Sequence, residues 1–246
     1  MKKILFAIAL AIVATACHTN EGGDVQFGKI AINATTRSEV SESNTTSKTV
    51  LDEALVPSVK DLKVEVSSNG ATQTWATYSE FEKALDGGLT FPSAPHTITL
   101  SYGENGVEGW SKPYFEGSAS VIVPMYGLSV DADILVALAN SIATIETNEQ
   151  FAGYFPKSTF TINGIDWDPT KEEMLFLNAG VAKIVCEAER QSGKKTTLES
   201  EVTLKASTLH KIVFELSTAG KAEVKITFDD EIVETIELEF ELNENA

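Results

Sequence analysis

Apolar and polar residues alternate with a period of two along most of this chain, and this alternation constrains its fold more than any other feature. Successive side chains of a β-strand point to opposite faces, so the pattern is typical of strands with one buried face. Turn sequences such as Asn69-Gly70 and Asn163-Gly164 separate the alternating runs. The sequence therefore predicts an all-β protein. Three of the runs are Leu62/Val64/Val66, Ile98/Leu100 and Ile236/Leu238/Phe240/Leu242.

Helical signals are confined to two short pieces. One is Thr77–Leu85, closed by two glycines, and the other is a capping box of Thr170 and Glu173 before Met174-Leu175-Phe176. A chain of 246 residues with many short strands predicts two tandem β-sandwich domains of Ig- or transthyretin-like, Greek-key type, with one or two short helices.

We place the domains at residues 25–128 and 129–246, with the alternating run at 129–138 able to close the first sandwich or open the second. The Ser/Thr-rich stretch 35–53 lacks apolar periodicity. It predicts a disordered, exposed loop within the first domain.

The N-terminus has the organisation of an export signal. Lys2 and Lys3 precede an apolar run of 13 residues, Ile4–Ala16, and Cys17 follows directly. A membrane-spanning helix needs about 20 apolar residues, so the run is too short to be a stable anchor. The pattern resembles a bacterial lipoprotein signal with Ala14-Thr15-Ala16-Cys17 as its lipobox. An ordinary secretory signal with an incidental cysteine is the alternative.

The lipobox resemblance implies a signal peptide at 1–16, lipid attachment at Cys17 and a lipid-anchored tether at 17–24. It also implies an outer-membrane protein held by its lipid, which we expect to face the cell surface.

Charge and cysteine content narrow the remaining possibilities. The chain has 36 acidic and 19 basic residues and a net charge of −17, which argues against nucleic acid as a partner. Only two cysteines are present, so no intrachain disulfide remains once Cys17 carries lipid. Cys186 lies on the apolar face of a predicted strand, where we expect a buried, inert thiol.

The sequence carries no recognisable catalytic constellation. Its three histidines are His18, His96 and His210, and no HExxH, GxSxG, P-loop or GxGxxG motif occurs. We therefore predict a protein that is not an enzyme, without catalytic residues, metal or cofactor. His96 and His210 are expected at the surface, and Asp229-Asp230 is expected in a hairpin turn.

Three aromatic residues are candidates for a ligand platform, because exposed aromatic rings can hold sugars and partners. They are Trp75, Trp110 and Tyr114, and packing over the open end of a core is the alternative role for each. Arg37 is one of two arginines and falls in the Ser/Thr-rich stretch. It is either a solvated loop charge or a site for a trypsin-like processing protease.

Several segments together resemble a known group of proteins. Besides the lipobox, they are Thr35-Thr36-Arg37, Ser101-Tyr102-Gly103, Pro113-Tyr114-Phe115-Glu116-Gly117 and Asp229-Asp230. The chain is similar to a family of Bacteroidota envelope lipoproteins of uncharacterised function, which resemble the fimbrillin-like proteins in style. The resemblance implies β-sandwich surface proteins and brings no catalytic residues.

Fimbrillins are cleaved after an Arg or Lys, which removes the first strand and opens a groove for a strand of a neighbouring subunit. Carried over to this chain, that mechanism implies cleavage at Arg37 and release of Val25–Ala34. An anchored accessory subunit would instead keep Cys17. The implied function is a structural, adhesive or accessory role through contacts with other envelope or fimbrial proteins. A glycan-binding surface lipoprotein for nutrient capture is the alternative.

Overall fold

The computed structural model describes residues 25–43, 46–217 and 223–237; Cys17, the signal segment and the end of the last predicted strand lie outside them. The helices are α1 (Tyr78–Asp86) and α2 (Glu149–Tyr154), with 3-10 turns at Glu53–Leu55 and Val59–Asp61. The strands are β1 (Phe27–Thr36), β2 (Glu39–Glu42), β3 (Lys48–Val50), β4 (Lys63–Ser68), β5 (Ala71–Trp75), β6 (Phe91–Pro92), β7 (Pro95–Tyr102), β8 (Gly109–Trp110), β9 (Phe115–Ile122), β10 (Ser129–Leu138), β11 (Ser141–Thr147), β12 (Lys157–Ile162), β13 (Ile165–Trp167), β14 (Leu175–Leu177), β15 (Gly180–Glu189), β16 (Lys195–Leu204), β17 (Thr208–Ser217), β18 (Glu223–Phe228) and β19 (Glu231–Glu237). The prediction of an all-β protein is confirmed.

The N-terminal half is built on one seven-stranded sheet in the order β5-β4-β7-β9-β10-β1-β6. The strands pair antiparallel, except that β1 runs parallel to β10 from Lys29 to Thr36. One face of the sheet supplies the core, in which Val64, Leu100 and Phe115 are fully buried. Helix α1 begins after its N-cap Thr77 and places Phe81 in the same core.

The C-terminal half has two sheets that share one core. One sheet has the order β13-β12-β15-β16, and the other has the order β19-β18-β17-β11-β14-β8. Phe160, Ile184 and Cys186 from the first sheet belong to the same buried cluster as Ile212 and Phe214 from the second. This is the arrangement of a β-sandwich, in which alternate residues of each strand point inward.

The predicted domain boundary at residue 129 is corrected by strand β10. This strand pairs with β1 and β9, and its residues Ile134 and Val136 lie in the N-terminal core. The chain then passes through Ala139 and Asn140 into β11, which pairs with β14 and β17 of the C-terminal half. The strand thus closes the first unit, and the transition follows Leu138.

The expectation of a disordered loop at 35–53 is also corrected. Strand β1 continues to Thr36, and β2 pairs both with β3 and with β17 of the C-terminal half. Val40 and Leu51 are buried in the N-terminal core. Single apolar residues among serines and threonines have no detectable periodicity, yet both of these are buried in that core.

The two helix predictions have different outcomes. Helix α1 confirms the prediction for Thr77–Leu85. The predicted helix at 170–176 is wrong, because Leu175–Leu177 forms strand β14, which pairs with β8 and β11. Its three residues are fully buried, and burial in the sheet outweighs the local capping signal. Helix α2 was not predicted, although its N-cap Asn148 accepts a hydrogen bond from the backbone N–H of Phe151.

The two most specific segments of the resemblance are cross-strand neighbours. Strands β7 and β9 pair Tyr102 with Phe115 and Leu100 with Gly117. Gly103 has a φ of +86°, and a Cβ there would lie 2.3 Å from the carbonyl oxygen of Pro113. A Cβ on Gly117 would lie 2.3 Å from the carbonyl oxygen of Leu135 in β10. Both glycines permit close backbone approach that any side chain would block.

Candidate interaction surfaces

The three candidate aromatic residues are half-buried and lie in different parts of the molecule. Trp75 at the end of β5 packs edge-on against Phe81, with ring centroids 5.0 Å apart, and contacts Phe91. It therefore lies over the N-terminal core, as in the packing alternative.

Trp110 belongs to β8 and packs against the C-terminal core. Its indole stacks on Trp167 with a centroid distance of 5.2 Å, and Nζ of Lys171 lies 4.7 Å from the centre of the same ring. The indole N–H donates a hydrogen bond of 3.2 Å to the carbonyl oxygen of Asp166. The ring is thus held by three contacts, and a sugar would compete with Lys171 for it.

Tyr114 lies near the transition between the two halves. Its backbone N–H donates to Oδ1 of the buried Asn140 at 3.0 Å, and its hydroxyl donates to the carboxylate of Glu116. Burial, followed by the hydrogen bond to Glu116, raises the pKa of Tyr114 well above its ordinary value. The three aromatic residues form no common platform.

A loop from the N-terminal half fastens the two halves together. The carboxylate of Glu108 accepts hydrogen bonds from the backbone N–H of Asn178 at 2.7 Å and from the Asn163 side chain at 3.2 Å. The Asn178 side chain donates to the carbonyl oxygen of Gly106 at 3.1 Å. Together with the pairing of β8 with β14, these contacts attach the loop to both sheets of the C-terminal half.

The expectation that His96 and His210 lie at the surface is wrong, because both are buried. His210 shares its strand face with Ile212, Phe214 and Leu216, and His96 shares its face with Ile98 and Leu100. The period-two alternation therefore contained the signal for their burial. Histidine is a polar residue, so residue type alone does not indicate this burial.

A buried polar cluster surrounds His210. Its Nδ1 lies 2.7 Å from Oδ2 of Asp229 and 3.1 Å from Oγ of Ser43, while its Nε2 accepts the backbone N–H of Lys205 at 2.8 Å. Ser43 also donates to Asp229, and the backbone N–H of Lys211 donates to the same carboxylate at 3.0 Å. The ring stacks on Phe228.

The three side chains of this cluster are those of a hydrolytic triad, but their arrangement is different. A nucleophilic serine needs an imidazole nitrogen that can accept its proton. Because Nε2 accepts the Lys205 N–H, the proton is assigned to Nδ1, which donates to Asp229. Ser43 also donates to Asp229, so no imidazole nitrogen is available to accept the proton of its hydroxyl. The cluster connects the residue after β2 with strand β17 and with the Asp229-Asp230 turn. This turn joins the antiparallel strands β18 and β19, so the predicted hairpin is confirmed.

The predicted processing site lies between two paired strands. Arg37 is exposed, and its backbone N–H donates a 2.8 Å hydrogen bond to the carbonyl oxygen of Val136. Only Ser38 separates it from β2. On its N-terminal side, β1 buries Ile30 and Ile32 against the core. Cys17 lies outside the described residues.

The remaining chemical features of the described residues are modest. Cys186 is buried as predicted, and burial, followed by the nearby Glu187, raises the pKa of its thiol to about 12. Among the residues that the structure describes, no group of three or more His, Cys, Asp or Glu side chains is arranged to hold a metal. Within the same residues, no helix has the length and apolar character needed to cross a membrane.

Comparison with solved structures finds several proteins of Bacteroides. A "putative adhesin" of Bacteroides thetaiotaomicron is 7% identical with a TM-score of 0.39, covering 88% of this chain and 99% of its own. "Putative polysaccharide binding proteins" of the same organism are 9% identical with a TM-score of 0.39, covering 75% and 92%. A "putative cell adhesion protein" of Bacteroides ovatus is 12% identical with a TM-score of 0.35, covering 87% and 99%.

Comparison with curated proteins found no match. A family match covers nearly the whole chain, from residue 22 to residue 244. It spans both halves described above, including the loop with Gly106 and Glu108 and the buried cluster around His210. The chain therefore belongs to the family described as "Domain of unknown function (DUF4493)".

Proposed function

We propose that this chain is a non-catalytic, lipid-anchored lipoprotein of the outer membrane. It faces the cell surface and acts, like fimbrillin-type proteins, in a structural, adhesive or accessory role. It does so through contacts between strand edges and other envelope proteins. Cys17 carries the lipid, and the chain keeps strand β1.

The observation that carries this proposal is the open edge of strand β5. This strand lies at the end of the N-terminal sheet, and its five residues include no charge and no proline. Edge strands are commonly protected by charges, proline or bulges, because an unprotected edge pairs with other chains. The edge strand β19, in contrast, carries Glu231, Glu234 and Glu237.

A cleft of about 260 Å³ lies beside this edge, between β5 and the residues Phe91, Pro92 and His96. Gln73 of β5 pairs with Val66 and lines the same cleft. An extended segment of a partner would add main-chain hydrogen bonds along β5 and place alternate side chains in the cleft.

Processing at Arg37 is the second candidate. Cleavage there would release all of β1 and would uncover the edge of β10 and the core around Ile32. Against this candidate, residues 36–39 connect two paired strands, and a protease needs an extended segment that is free of such pairing. Strand β19 is also already paired with β18, so this strand is not available to insert into the sheet of another subunit.

The anchor is tested by intact mass of the membrane-extracted protein, with Cys17→Ser as the control. The native chain is expected to begin at Cys17 and to carry acyl groups, whereas the variant lacks the acyl mass and leaves the membrane fraction. A brief treatment with a trypsin-like protease is expected to leave the bond after Arg37 intact. A chain that begins at Ser38 and forms ladders on a gel would show a fibre subunit instead.

The strand edge is tested by cross-linking on intact cells. Thr72 lies on the solvent face of β5, opposite Ser67, and Thr72→Lys should protect the edge by placing a charge there. Cross-linked adducts are expected to fall about tenfold, which corresponds to roughly 1.4 kcal/mol of contact energy. Ser118→Lys on the interior strand β9 is the matched control and should leave the adducts unchanged. Equal adducts in both variants would rule out the β5 edge.

A further inference from the structure

One end of the N-terminal sheet lies far from the C-terminal half. Strands β1, β7 and β10 start at this end, and β9 finishes there, because β9 is antiparallel to β7 and β10 while β1 is parallel to β10. At the opposite end, β10 continues into β11, and the chain leaves β7 towards β8. The two ends of this sheet therefore have different surroundings.

The segments at the far end carry no Lys, Arg, Asp or Glu, although 22% of the whole chain is charged. Four uncharged stretches either lie there or run into it. They include the β4–β5 turn, the approach to β7, and the β9–β10 connection. The stretches are residues 25–28, 66–79, 87–103 and 117–130.

Six large apolar side chains at this end are exposed, between 45% and 77% of their surface. They are half of the exposed large hydrophobic residues among those that the structure describes. We refer to them as the tip: Val25, Phe27, Ile122, Met125, Tyr126 and Leu128.

Main-chain contacts hold the two parts of the tip together. The backbone N–H of Gly127 donates to the carbonyl oxygen of Phe27 at 2.8 Å, and the N–H of Lys29 donates to that of Leu128 at 2.8 Å. A Cβ on Gly28 would lie 2.2 Å from the carbonyl oxygen of Pro124, so the connection lies directly on β1. The apolar side chains are thus presented by a tightly held backbone.

Few residues separate the tip from the proposed lipid attachment site. Seven residues separate Cys17 from Val25. Even fully extended, eight residue steps span at most about 28 Å. The tip contains the first described residue, so it is the part of the structure closest along the chain to the attachment site.

We infer that the tip rests on the outer membrane, with its apolar side chains in the boundary between lipid headgroups and acyl chains. The inference depends on the lipid anchor of the proposed function. No charged group of the tip has to lose its hydration when the surface enters this boundary. Tyrosine is favoured there because its ring is apolar and its hydroxyl is polar. Lys29, next to the tip, can face lipid phosphates. The acidic C-terminal half then projects away from the bilayer.

The test uses the two exposed tyrosines at opposite ends of strands β7 to β10, Tyr126 at the tip and Tyr102 at the other end. The variants Tyr126→Trp and Tyr102→Trp of the acylated full chain are reconstituted into vesicles that contain bromine-labelled phospholipid. Bromine quenches tryptophan at short range, and a tip residue would lie about 5–10 Å into the interface. The added fluorescence at position 126 is expected to fall by more than half, whereas that at position 102 should be unchanged.

A second pair of variants uses charge. Tyr126→Asp and Leu128→Asp should abolish contact of the tip with the bilayer while the acyl mass and vesicle flotation remain. The readout is bromine quenching of a tryptophan introduced by Phe27→Trp in the same reconstituted protein, which should be lost when either aspartate is present.

Each other outcome contradicts the inference in a distinguishable way. Absence of quenching at position 126 in protein that still floats with vesicles overturns the membrane contact and leaves the anchor intact. A dimer that Tyr126→Asp dissociates, again without quenching, would show that a second copy covers the tip. Loss of acyl mass and flotation in the unmodified chain overturns the anchor itself, and with it the reason for placing the tip at the bilayer.

Discussion

Replacing Asp229 with alanine is expected to lower the free energy of unfolding by about 3–5 kcal/mol, the usual cost of breaking a buried ion or hydrogen-bonded pair. Its carboxylate accepts hydrogen bonds from His210, Ser43 and the Lys211 backbone, and all three donors would lose this acceptor. A buried donor without an acceptor keeps its full desolvation cost. Urea unfolding followed by tryptophan fluorescence measures the change.

Asp230 provides the matched control for this substitution. It is the next residue in the same turn, also with a positive φ, but its side chain is exposed. Asp230→Ala should therefore cost less than about 1 kcal/mol, mostly from backbone strain. Equal losses in the two variants would show that the turn conformation, rather than the buried cluster, accounts for the effect. A small loss for Asp229→Ala would contradict the importance of the cluster for stability.

Replacing Gly117 with alanine is expected to lower the free energy of unfolding by about 2–3 kcal/mol, at the upper end of the usual cost of overpacking. The new Cβ would lie 2.3 Å from the carbonyl oxygen of Leu135 and 2.9 Å from its carbonyl carbon. Because both are backbone atoms, relief requires β9 and β10 to move apart. Thermal unfolding by circular dichroism measures the loss.

Gly153 is the control for Gly117. Both have ordinary φ values, but a Cβ on Gly153 meets nothing within 4 Å. Gly153 also lies in helix α2, where alanine is favoured over glycine by about 1 kcal/mol. Gly153→Ala should therefore leave stability unchanged or raise it. If Gly117→Ala were equally harmless, close approach of β9 and β10 would not explain the glycine in this segment.

These predictions give the Tyr102–Gly103 and Pro113–Gly117 segments a structural meaning. They are the two sides of one cross-strand contact, and both glycines lie against backbone of neighbouring segments. The features with a bearing on interaction lie elsewhere, at the β5 edge and at the tip. Both surfaces are exposed and uncharged, and neither contains a sequence motif that would identify it.

The elements that follow from short-range rules could be predicted from the sequence. Period-two alternation determined the strands, and Asn69-Gly70, Asn163-Gly164 and Asp229-Asp230 determined turns whose residues all have positive φ. Thr77 determined the start of helix α1. These features depend on neighbours within a few residues, so the local sequence contains enough information for them.

Long-range pairing decided what the local sequence could not. Leu175–Leu177 follows a capping box, yet it is a strand because β8 and β11 flank it. Strand β10 belongs to the N-terminal sheet because β1, about 100 residues earlier, pairs with it. The same holds for the His210 cluster, which includes Ser43 from 167 residues away, and for the tip, which two distant segments build. The residues that flank each segment do not show which distant segment it will contact. These contacts are selected because they bury apolar surface, and that surface is buried only when the whole chain folds.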